Sequence, residues 1–511
     1  MILITSGSYV EQELKSIFGN IPPSFLPVQN RRLFYHQSKL FPDQILKYIT
    51  LPECFIVDEQ DIIDLKGLNF EIIYVPENLS LGESIKKAIT SVGKYEESLH
   101  ILHGDTYFDS IPIDKFNFYS IGEISYNYNW AKLDEGIYRN KTYSGYFSFS
   151  DVNLLIESLV KEKYNFEAAL DYYNKHTKVE MISLKNWLDF GHANTYFRSK
   201  SNFTSERAFN KIISNKLSFT KSSIQIQKIK AEYKWYKNLK PELQLHTPHV
   251  FNLKINDEKA EYSLEYLNLA TLNELLVFGK LPNFVWKKIF QESISFLENL
   301  SLNNETIAEG SYSEQIKSKT FIRLKNLDYS SINPTVKNLY NGISLPSLFE
   351  ISENTSFYLN DIYFSKKSIM HGDFCFSNIL YDFRSQSIKV IDPRGIDFEN
   401  NISNEGYLIY DLAKYFHSII GLYDFIIAGN YKVECDNNNK FNFDIYRPDY
   451  IKEIQNQFLK TKINGISINQ KSIFATMIHL FLSMLPLHKD DKKRQQALAA
   501  NALRLYLDFI N

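Results

Sequence analysis

Short apolar segments separated by polar stretches fill the first part of the chain. Five of them have the length and composition of buried strands: MILITSG at the start, CFIVD at 54–58, FEIIYV at 70–75, SLHILHGD at 98–105 and YSGYFSFS at 143–150. The segment LGESIKKAITSV, between FEIIYV and SLHILHGD, instead has apolar residues at helical spacing. Strands that alternate with helices predict a mostly parallel, layered α/β sheet, which we expect to end near residue 200.

The pattern changes from about residue 205. LSFTKSS predicts a strand and IQKIKAEYKWYKNL a helix, while HVFNLKIND and EYSLEYL predict a strand pair that turns at Asn256 and Asp257. TLNELL begins a long helical section that reaches residue 301. The remainder is predicted to be mostly helical, except for a strand–loop–strand at residues 371–392. The asparagine-rich segment ECDNNNKFNFD, at 434–444, is interpreted as a solvated loop.

The length of the chain, 511 residues, is too great for a single hydrophobic core. Together with the change of pattern, it predicts a layered α/β domain at 1–204, a small lobe at 205–270 and a helical lobe at 271–511. Hydrophobic residues make up 44% and charged residues 23%, so the composition is that of a folded globular protein.

The charge of the chain argues against a nucleic-acid or membrane-surface partner, because 57 basic residues nearly balance 59 acidic ones. Three cysteines without a CxxC pair indicate neither a disulfide framework nor a zinc site. The start of the chain lacks a basic leader, and the apolar run from Ile473 to Leu485 is shorter than the ~20 residues of a membrane span. We therefore expect a cytoplasmic protein that binds small molecules. Its oligomeric state stays open.

The segment HGDFCFSN, at 371–378, and the later IDPRG carry the chemistry of the second half. Phosphoryl transfer requires a hydroxyl group positioned in line with the γ-phosphate and neutralisation of the growing charge by magnesium. Asp373 can accept the hydroxyl proton, and Asn378 and Asp392 offer the oxygen ligands that Mg²⁺ prefers. The segments NILYD and IKVID are predicted to form a two-stranded ribbon that brings these two ligands together.

This region resembles the aminoglycoside phosphotransferase and choline kinase family, whose catalytic loop reads HGDxxxxN. YDLAKYFHS, with Asp411, is similar to the family's later D-L-A segment, which supports that loop. Lys221 and Glu232 match its nucleotide-binding lysine and the glutamate partner of that lysine. YSLEYLNLATLNELL resembles the hinge that holds adenine. The hinge residues expected to bind nucleotide are Glu265, Tyr266 and Leu267. The resemblance covers about 210–511 and implies a two-lobed, protein-kinase-like (α+β) domain that uses ATP and Mg²⁺.

Three further residues of this region have alternative interpretations. His371 is interpreted as a structural residue of the loop rather than as an acid or base. Lys228 competes with Lys221 as the partner of Glu232, and Lys221 is preferred because it lies on a strand-like segment. The segment PRG replaces the family's usual aromatic residue after the metal aspartate, so Arg394 is a candidate for binding substrate or phosphate.

Two aspartates of the first half follow apolar segments, at the position where open α/β sheets bind ligands. They are Asp105 in HGDTYF and Asp189 in WLDFGH, and together they could hold a metal that bridges the phosphates of a nucleotide. The first apolar segment runs into a turn, as before a phosphate-binding loop, so Ser6 and Gly7 are candidates for nucleotide binding.

The first half resembles the nucleotidyltransferases that join a nucleoside triphosphate to a sugar 1-phosphate or to phosphocholine. Their G-D and W-L-D-x-G motifs match the segments around Asp105 and Asp189, and IPPSFLPVQNRRLFYHQ resembles P-K-x-L-x-P-V. LGESIKKAI is similar to their base-contacting L-G-T stretch. The resemblance covers about 1–200 and implies a layered, GT-A/Rossmann-like mixed sheet with helices.

The opening loop departs from that family's pattern. TSGSYVEQEL has Glu11 and Glu13 where the family has glycines and an arginine, and Ser24 stands in place of a lysine. A triphosphate binds weakly without such cations, so Arg31 and Arg32 are candidates to replace them.

The two halves together predict a bifunctional enzyme. It would phosphorylate a small alcohol (an amino alcohol, a polyol or a sugar) with ATP, and then transfer a nucleotidyl group from CTP or another nucleoside triphosphate to the product. The resemblances imply that this product is a precursor for the capsule or surface polysaccharide of a bacterium. Two alternatives stay open: a kinase with a non-catalytic nucleotide-binding first domain, and a non-catalytic assembly protein of the surface-glycan machinery.

Overall fold

The computed structural model describes residues 1–95, 97–123, 132–133, 140–202, 210–214, 217–301, 311–361, 363–436 and 438–511. The chain divides into two compact units. The first is Met1–Phe203 with Phe278–Lys280, and the second is Thr204–Val277 with Leu281–Asn511. The domain boundary predicted at residues 204–205 lies outside the described residues. The boundary predicted at 270–271 falls within the second unit and stays a prediction.

The first unit alternates strands and helices. Its strands are β1 Ile2–Thr5, β2 Pro27–Val28, β3 Arg31–Arg32, β4 Lys47–Pro52, β5 Phe70–Val75, β6 Leu99–His103, β7 Thr106–Tyr107, β8 Phe118–Glu123, β9 Lys132–Leu133, β10 Lys141–Phe149, β11 Glu180–Ser183 and β12 Leu188–Asp189. Its helices are α1 Gln12–Phe18, α2 Leu33–Ser38, α3 Glu59–Gly67, α4 Leu81–Val92, α5 Val152–Lys161, α6 Phe166–His176 and α7 Ala193–Asn202.

A mixed sheet forms the centre of the first unit, with the strand order β11-β8-β10-β6-β1-β4-β5 and with β9 beside β10. Strands β6, β1, β4 and β5 run parallel, and β10 runs antiparallel to both β6 and β8. Leu3, Ile85 and Phe147 belong to the buried core of this sheet and its helices. Because β1 and β6 are parallel neighbours, their carboxyl ends at Thr5 and His103 lie side by side. The loops that follow both strands therefore start at the same edge of the sheet.

The segment CFIVD, predicted to be a strand, has an irregular backbone. The strand in this part of the chain is β4, where all six residues are buried between parallel neighbours. CFIVD follows Pro52, which ends β4, and Asp58 precedes helix α3. Phe55 and Val57 are buried, but Ile56 is 79% exposed. The apolar run therefore marks a loop that returns to the core at two positions.

The second unit begins with strands and continues with long helices. Its strands are β13 Asn210–Ser214, β14 Ser218–Ser223, β15 Val250–Ile255, β16 Ala260–Glu265, β17 Ala270–Thr271, β18 Asn338–Tyr340, β19 Ile343–Leu345, β20 Lys367–Ile369, β21 Ile379–Asp382, β22 Ser387–Val390, β23 Glu405–Tyr407, β24 Tyr431–Cys435, β25 Lys440–Ile445, β26 Lys462–Ile463 and β27 Ile466–Ser467. Its helices are α8 Ile226–Asn238, α9 Pro241–Gln244, α10 Leu272–Val277, α11 Asn283–Ser301, α12 Ser311–Lys325, α13 Leu348–Ser356, α14 Leu408–Ile419, α15 Tyr423–Ile427, α16 Tyr450–Leu459, α17 Lys471–Met484 and α18 Lys492–Ile510.

An antiparallel sheet with the order β13-β14-β16-β15 opens the second unit, and α8 packs against it. Strands β17, β21 and β22 form a separate small sheet. The mainly apolar helices α14 and α17 pack against each other in the helical part. The predicted fold class is therefore confirmed: a layered mixed α/β sheet followed by an α+β region of a small sheet and helices. No helix among the described residues is long and apolar enough to cross a membrane.

Two further elements of the second unit differ from the prediction. The segment 434–444 is part of the hairpin of β24 and β25 rather than a solvated loop, because Phe441 and Phe443 alternate with polar residues and are buried. This hairpin belongs to a four-stranded sheet, β19-β18-β25-β24, within the region expected to be mostly helical. The helical section predicted to run from TLNELL to residue 301 is divided into α10 and α11, which Pro282 separates.

Candidate functional site

Asp411 holds the start of the HGDFCFSN loop in place. It lies in the first turn of α14, and its two carboxylate oxygens accept the backbone N–H groups of His371 and Gly372 at 2.7 and 2.8 Å. Burial raises the pKa of Asp411 to about 7, although these two hydrogen bonds oppose the shift. Gly372 has a φ of +80°, and a Cβ there would lie 2.6 Å from Cβ of Arg394. The loop therefore requires glycine at this position.

His371 is completely buried, and its ring lies edge-on to Trp235 with the centroids 5.3 Å apart. Burial lowers the pKa of His371 to about 4, so the ring is neutral at pH 7. Its backbone carbonyl accepts the N–H of Arg394 at 2.8 Å. These contacts agree with the structural interpretation of this histidine.

Asp373 is held between an amide and an ammonium group. Its Oδ2 accepts a hydrogen bond from Nδ2 of Asn378 at 3.0 Å, and its Oδ1 lies 3.0 Å from Nζ of Lys414. Burial would raise the pKa of Asp373, but the charge and hydrogen bond of Lys414, together with His371 and the hydrogen bond from Asn378, lower the pKa to about 2. The side chain is 42% exposed, so an ionised carboxylate remains accessible.

Asn378 and Asp392 lie at the same end of the ribbon formed by β21 and β22. Ile379 pairs with Val390 in antiparallel register, and the N–H of Ile391 donates to the carbonyl oxygen of Asn378 at 3.0 Å. Asp392 is the next residue and has a φ of +55°, a conformation that turns the chain away from the strand. The ribbon therefore brings the two proposed magnesium ligands to one place, as the strand pattern predicts.

Lys221 on β14 lies between two carboxylates. Its Nζ is 2.8 Å from Oε2 of Glu232 and 3.1 Å from Oδ1 of Asp392. Burial opposes the charge on Lys221, but the two carboxylates prevail and raise its pKa. Lys228, the competing candidate, is half exposed and lies 4.0 Å from Glu232. The hydroxyl of Tyr262 also donates to Oε2 of Glu232, at 2.9 Å.

The three hinge residues follow directly from the sheet that carries Lys221. Glu265 is the last residue of β16 and pairs with Ser218 of β14. The N–H of Tyr266 donates to the carbonyl oxygen of Leu217 at 2.9 Å, and the carbonyl of Leu267 accepts the N–H of Leu269. The chain then continues into β17, which pairs with β21, the strand that follows the HGDFCFSN loop.

Sequence reasoning missed Lys414, which contacts Asp373, and the neighbouring pair of Tyr410 and Lys319. Lys414 contacts Asp373, and Tyr410, one turn earlier on α14, accepts a hydrogen bond from Nζ of Lys319 at 3.1 Å. A signal for Lys414 was present, because it is the single lysine in the mainly apolar helix LIYDLAKYFHSI. Lys319 carried no such signal, since α12 is rich in charged and polar residues.

In the first unit, a cavity of about 300 Å³ lies at the carboxyl ends of β1 and β6. Its charged or ionisable lining residues include Glu11, His103, Asp105, Asp189 and His192. No lysine or arginine is among the described residues that line it. The cavity is therefore strongly acidic, which is unfavourable for a bare triphosphate.

Asp105 and Asp189 meet at Gly191. A Cβ at Gly191 would lie 2.6 Å from Oδ2 of Asp105 and 3.2 Å from Oδ1 of Asp189, so both carboxylates contact this glycine. The pairing of β12 with β7 places Asp189 opposite Thr106. Burial raises the pKa of Asp105, which means that its charge is costly without a cation.

Gln37 fixes the loop that carries Asp105, a role that sequence reasoning missed. It is completely buried, and its Nε2 donates to the carbonyl oxygens of His103, Gly104 and Thr106 at 3.0, 3.2 and 2.9 Å. A buried glutamine has no distinctive sequence pattern, so only the fold reveals this contact.

The remaining candidates of the first unit are not among the described residues that line the cavity. The Ser6 hydroxyl accepts the N–H of Ser24 at 3.0 Å, and a Cβ at Gly7 would lie 2.5 Å from Cγ2 of Val75. Ser8, Tyr9, Val10 and Glu11 line the cavity instead. Ser24 is buried and donates to the carbonyl of Gly104.

The two arginines proposed to replace the missing cations have other partners. Nη1 of Arg31 lies 3.8 Å from Oδ2 of Asp64. Arg32 is buried, and its Nη2 is 2.9 Å from Oδ2 of Asp61. Neither arginine is among the residues that line the cavity.

Both carboxylate sites fit a magnesium ion by the chemistry of their donors. Asn378 with Asp392 and Asp105 with Asp189 offer the hard oxygen atoms that Mg²⁺ prefers. Within the described parts of the chain, no group of three or more His, Cys, Asp or Glu residues could hold a metal alone. This suits Mg²⁺, which commonly takes one or two carboxylates and completes its shell with phosphate oxygens and water.

Comparison with known proteins gives similarities to two kinds of solved structure. No protein-family model and no curated protein matches the chain. UDP-glucose pyrophosphorylase in complex with UDP-glucose is 12% identical at a TM-score of 0.29, covering 40% of this chain and 97% of its own. Aminoglycoside phosphotransferase APH(4)-Ia is 12% identical at a TM-score of 0.38, covering 60% of this chain and 92% of its own. APH(3'')-Id from Streptomyces rimosus is 11% identical at a TM-score of 0.34, covering 53% and 92%.

Proposed function

We propose that the second unit transfers the γ-phosphoryl group of ATP to a hydroxyl group of a small alcohol. The observation that carries this proposal is the set of contacts at one end of the β21–β22 ribbon. Asp373 contacts both Lys414 and Asn378. Asp392, at the same end of the ribbon as Asn378, contacts Lys221. Residues of each type that phosphoryl transfer requires therefore form two groups of contacts, which meet at one end of the β21–β22 ribbon.

Asp373 orients the acceptor. Its carboxylate accepts a hydrogen bond from the alcohol while the oxygen of the alcohol forms a bond to the γ-phosphorus and the bond to the β-phosphate oxygen breaks, releasing ADP. The hydroxyl proton passes to Asp373 and then to water. With a pKa of about 2, Asp373 is a weak base, so it accepts this proton late, when the alcohol oxygen is already bonding to phosphorus.

Lys221 binds the phosphates of ATP, and Glu232 keeps its ammonium in position. Asn378 and Asp392 would hold Mg²⁺, which neutralises charge on the phosphate oxygens when it is bound. Glu265, Tyr266 and Leu267 form the hinge that binds the adenine ring.

We propose a second reaction for the first unit. An oxygen of the phosphorylated product bonds to the α-phosphorus of CTP or another nucleoside triphosphate, and pyrophosphate leaves. Asp105 and Asp189 would hold Mg²⁺ against the triphosphate, and the burial of Asp105 supports a cation there. The product would be a nucleotide-activated precursor for bacterial capsule or surface polysaccharide made in the cytoplasm.

A kinase with a non-catalytic first unit is the second candidate. The absence of lysine and arginine from the described lining of the acidic cavity favours it, because each phosphate then depends on metal ions alone for charge neutralisation. The contacts of Lys221 speak against the third candidate, a non-catalytic assembly protein, since a buried lysine paired with two carboxylates is costly to retain without a role.

Phosphorus magnetic resonance with a panel of alcohols and sugars tests both reactions. With ATP and CTP, the wild type should form a phosphorylated alcohol first and pyrophosphate afterwards. Asp373→Asn should abolish both, while Asp105→Ala should stop only pyrophosphate release. Retained turnover in Asp373→Asn would remove Asp373 from its role. If no nucleoside triphosphate and no phosphorylated product give pyrophosphate, the second reaction is wrong and the single-activity kinase remains.

A further inference from the structure

Three cations gather around Tyr410, and one of them, Lys414, contacts Asp373. Nζ of Lys319 lies 3.1 Å from the hydroxyl of Tyr410, and Lys414 lies one helical turn after Tyr410. The guanidinium of Arg394 lies over the ring of Phe398 at 5.4 Å, and that ring packs edge-on against Tyr410 with the centroids 5.2 Å apart. We call Lys319, Arg394 and Lys414 the cationic cluster.

Two members of the cationic cluster have no carboxylate partner in the part of the chain that the structure describes. The charge of Lys414 is offset by Asp373, but the contacts of Lys319 are with Tyr410 and those of the Arg394 guanidinium are with Phe398. Nη1 of Arg394 is buried and donates to no partner among the described residues. Partly buried cations without an anion carry a desolvation cost that an incoming anion offsets.

The pKa of Tyr410 reflects the positive electrostatic potential of the cationic cluster. Its burial would raise the pKa of the phenol, but Lys319, Lys414 and Arg394 together lower the pKa to about 8. The same potential acts on any group that binds beside Asp373, so it attracts anions and repels cations.

We propose that the acceptor alcohol carries an anionic group, a carboxylate or a phosphate, which Lys319 and Arg394 bind while its hydroxyl group contacts Asp373. The inference rests on the proposed phosphoryl transfer and narrows its acceptor class. It excludes choline-like and ethanolamine-like alcohols, because an ammonium group would meet charges of its own sign. In this proposal, Arg394 binds the acceptor substrate rather than ATP.

A matched panel of alcohols tests the charge of the acceptor. Glycerol, glycerate, glycerol 3-phosphate and ethanolamine share a small hydroxyl-bearing skeleton, and glucose, glucuronate, glucose 6-phosphate and glucosamine repeat the series on a sugar. With saturating ATP and magnesium, kcat/KM should be highest for an anionic member of a series and should fall as the salt concentration rises. The carboxylate and phosphate arms identify which anion the site takes. Preference for a neutral or ammonium-bearing member would overturn the proposal.

Lys319→Met tests the residue, with Lys317→Met as the matched control. Lys317 lies on the same helix, is exposed and is outside the cationic cluster. Lys319→Met should raise KM for the anionic acceptor about 10-fold or more, the effect of losing one charge-assisted hydrogen bond, and leave KM for ATP unchanged. Lys317→Met should behave as the wild type. A rise in KM for ATP instead would assign the cluster to the nucleotide and overturn the proposal.

Calorimetric binding of the same panel to the wild type and Lys319→Met separates this inference from the proposed function. Anionic alcohols that bind the wild type but not Lys319→Met would support the anion site even if no member is phosphorylated, in which case phosphoryl transfer is the part that fails. Phosphorylation of only neutral alcohols would keep the proposed function and remove the anion site. Binding of no anionic member would likewise overturn it.

Discussion

Lys221 illustrates how one side chain can serve stability and function together. Its side chain is 5% exposed, and its ammonium neutralises Glu232, whose side chain is 2% exposed. Lys221→Met keeps the length of the side chain but leaves a buried carboxylate unpaired, and we expect the free energy of unfolding to fall by about 3 kcal/mol. ATP turnover should fall with it, because the phosphates lose their ammonium partner. Urea unfolding and an ATPase-coupled assay measure the two effects.

Lys228→Met is the control for this prediction. Lys228 is 46% exposed and 4.0 Å from Glu232, so its loss should change the free energy of unfolding by less than about 0.5 kcal/mol. The double variant Lys221→Met with Glu232→Gln should recover part of the stability but not the turnover. Equal losses in the two single variants would contradict the assignment of Lys221 as the buried partner.

Residue types in a motif can be predicted from sequence better than their electrostatic surroundings. Asp373, Asn378 and Asp392 were found because their spacing and the strand pattern between them are local features of the chain. Lys319 is 54 residues from Asp373 in the numbering and reaches this site only through the packing of helices. Such non-local contacts leave no periodic signal in the sequence, so the cationic cluster could not be predicted.

At the scale of elements, Gly395 controls how α8 lies against the catalytic segment. It has a φ of +64°, and a Cβ there would lie 2.3 Å from the carbonyl oxygen of Ala231, the residue before Glu232. Gly395→Ala should therefore displace α8, lower the free energy of unfolding by more than the ~1 kcal/mol cost of a left-handed alanine, and reduce kcat. Urea unfolding and ATP turnover measure both effects.

Gly342→Ala separates backbone strain from the displacement of α8. Gly342 has a φ of +85° in the turn between β18 and β19, and nothing lies within 4 Å of its would-be Cβ. Gly342→Ala should lower the free energy of unfolding only by the cost of the backbone conformation, about 1 kcal/mol, and should keep the kcat of the wild type. If both alanine variants retain full turnover, the position of α8 is not set by Gly395.

Elements with a regular pattern were predicted well, and those that depend on partners were not. LGESIKKAITSV is α4 over its whole length, and its Ser80–Glu83 capping box explains where it begins. The predictions for CFIVD and for the 434–444 segment were wrong because strand formation depends on neighbouring strands and on alternate burial. Asparagine in the β24–β25 turn concealed the alternation of Phe441 and Phe443 that follows it.

At the scale of the whole molecule, the two proposed reactions belong to different compact units, so we expect them to be separable. Asp373 belongs to the second unit and Asp105 to the first, so a substitution at one should leave the other site intact. The proposed intermediate, a phosphorylated alcohol, is small and soluble. It can leave one chain and enter another unless it is transferred within a single chain.

Mixing Asp373→Asn with Asp105→Ala tests this independence. Neither variant alone should convert the free alcohol into the nucleotide-activated product, since each lacks one step. Equal amounts of the two should restore the product, with a lag while the intermediate made by Asp105→Ala accumulates in solution, and adding the phosphorylated alcohol should remove the lag. Phosphorus magnetic resonance follows both phosphates. If the wild type releases pyrophosphate and the mixture does not, the two reactions are coupled within one chain and the units are not independent.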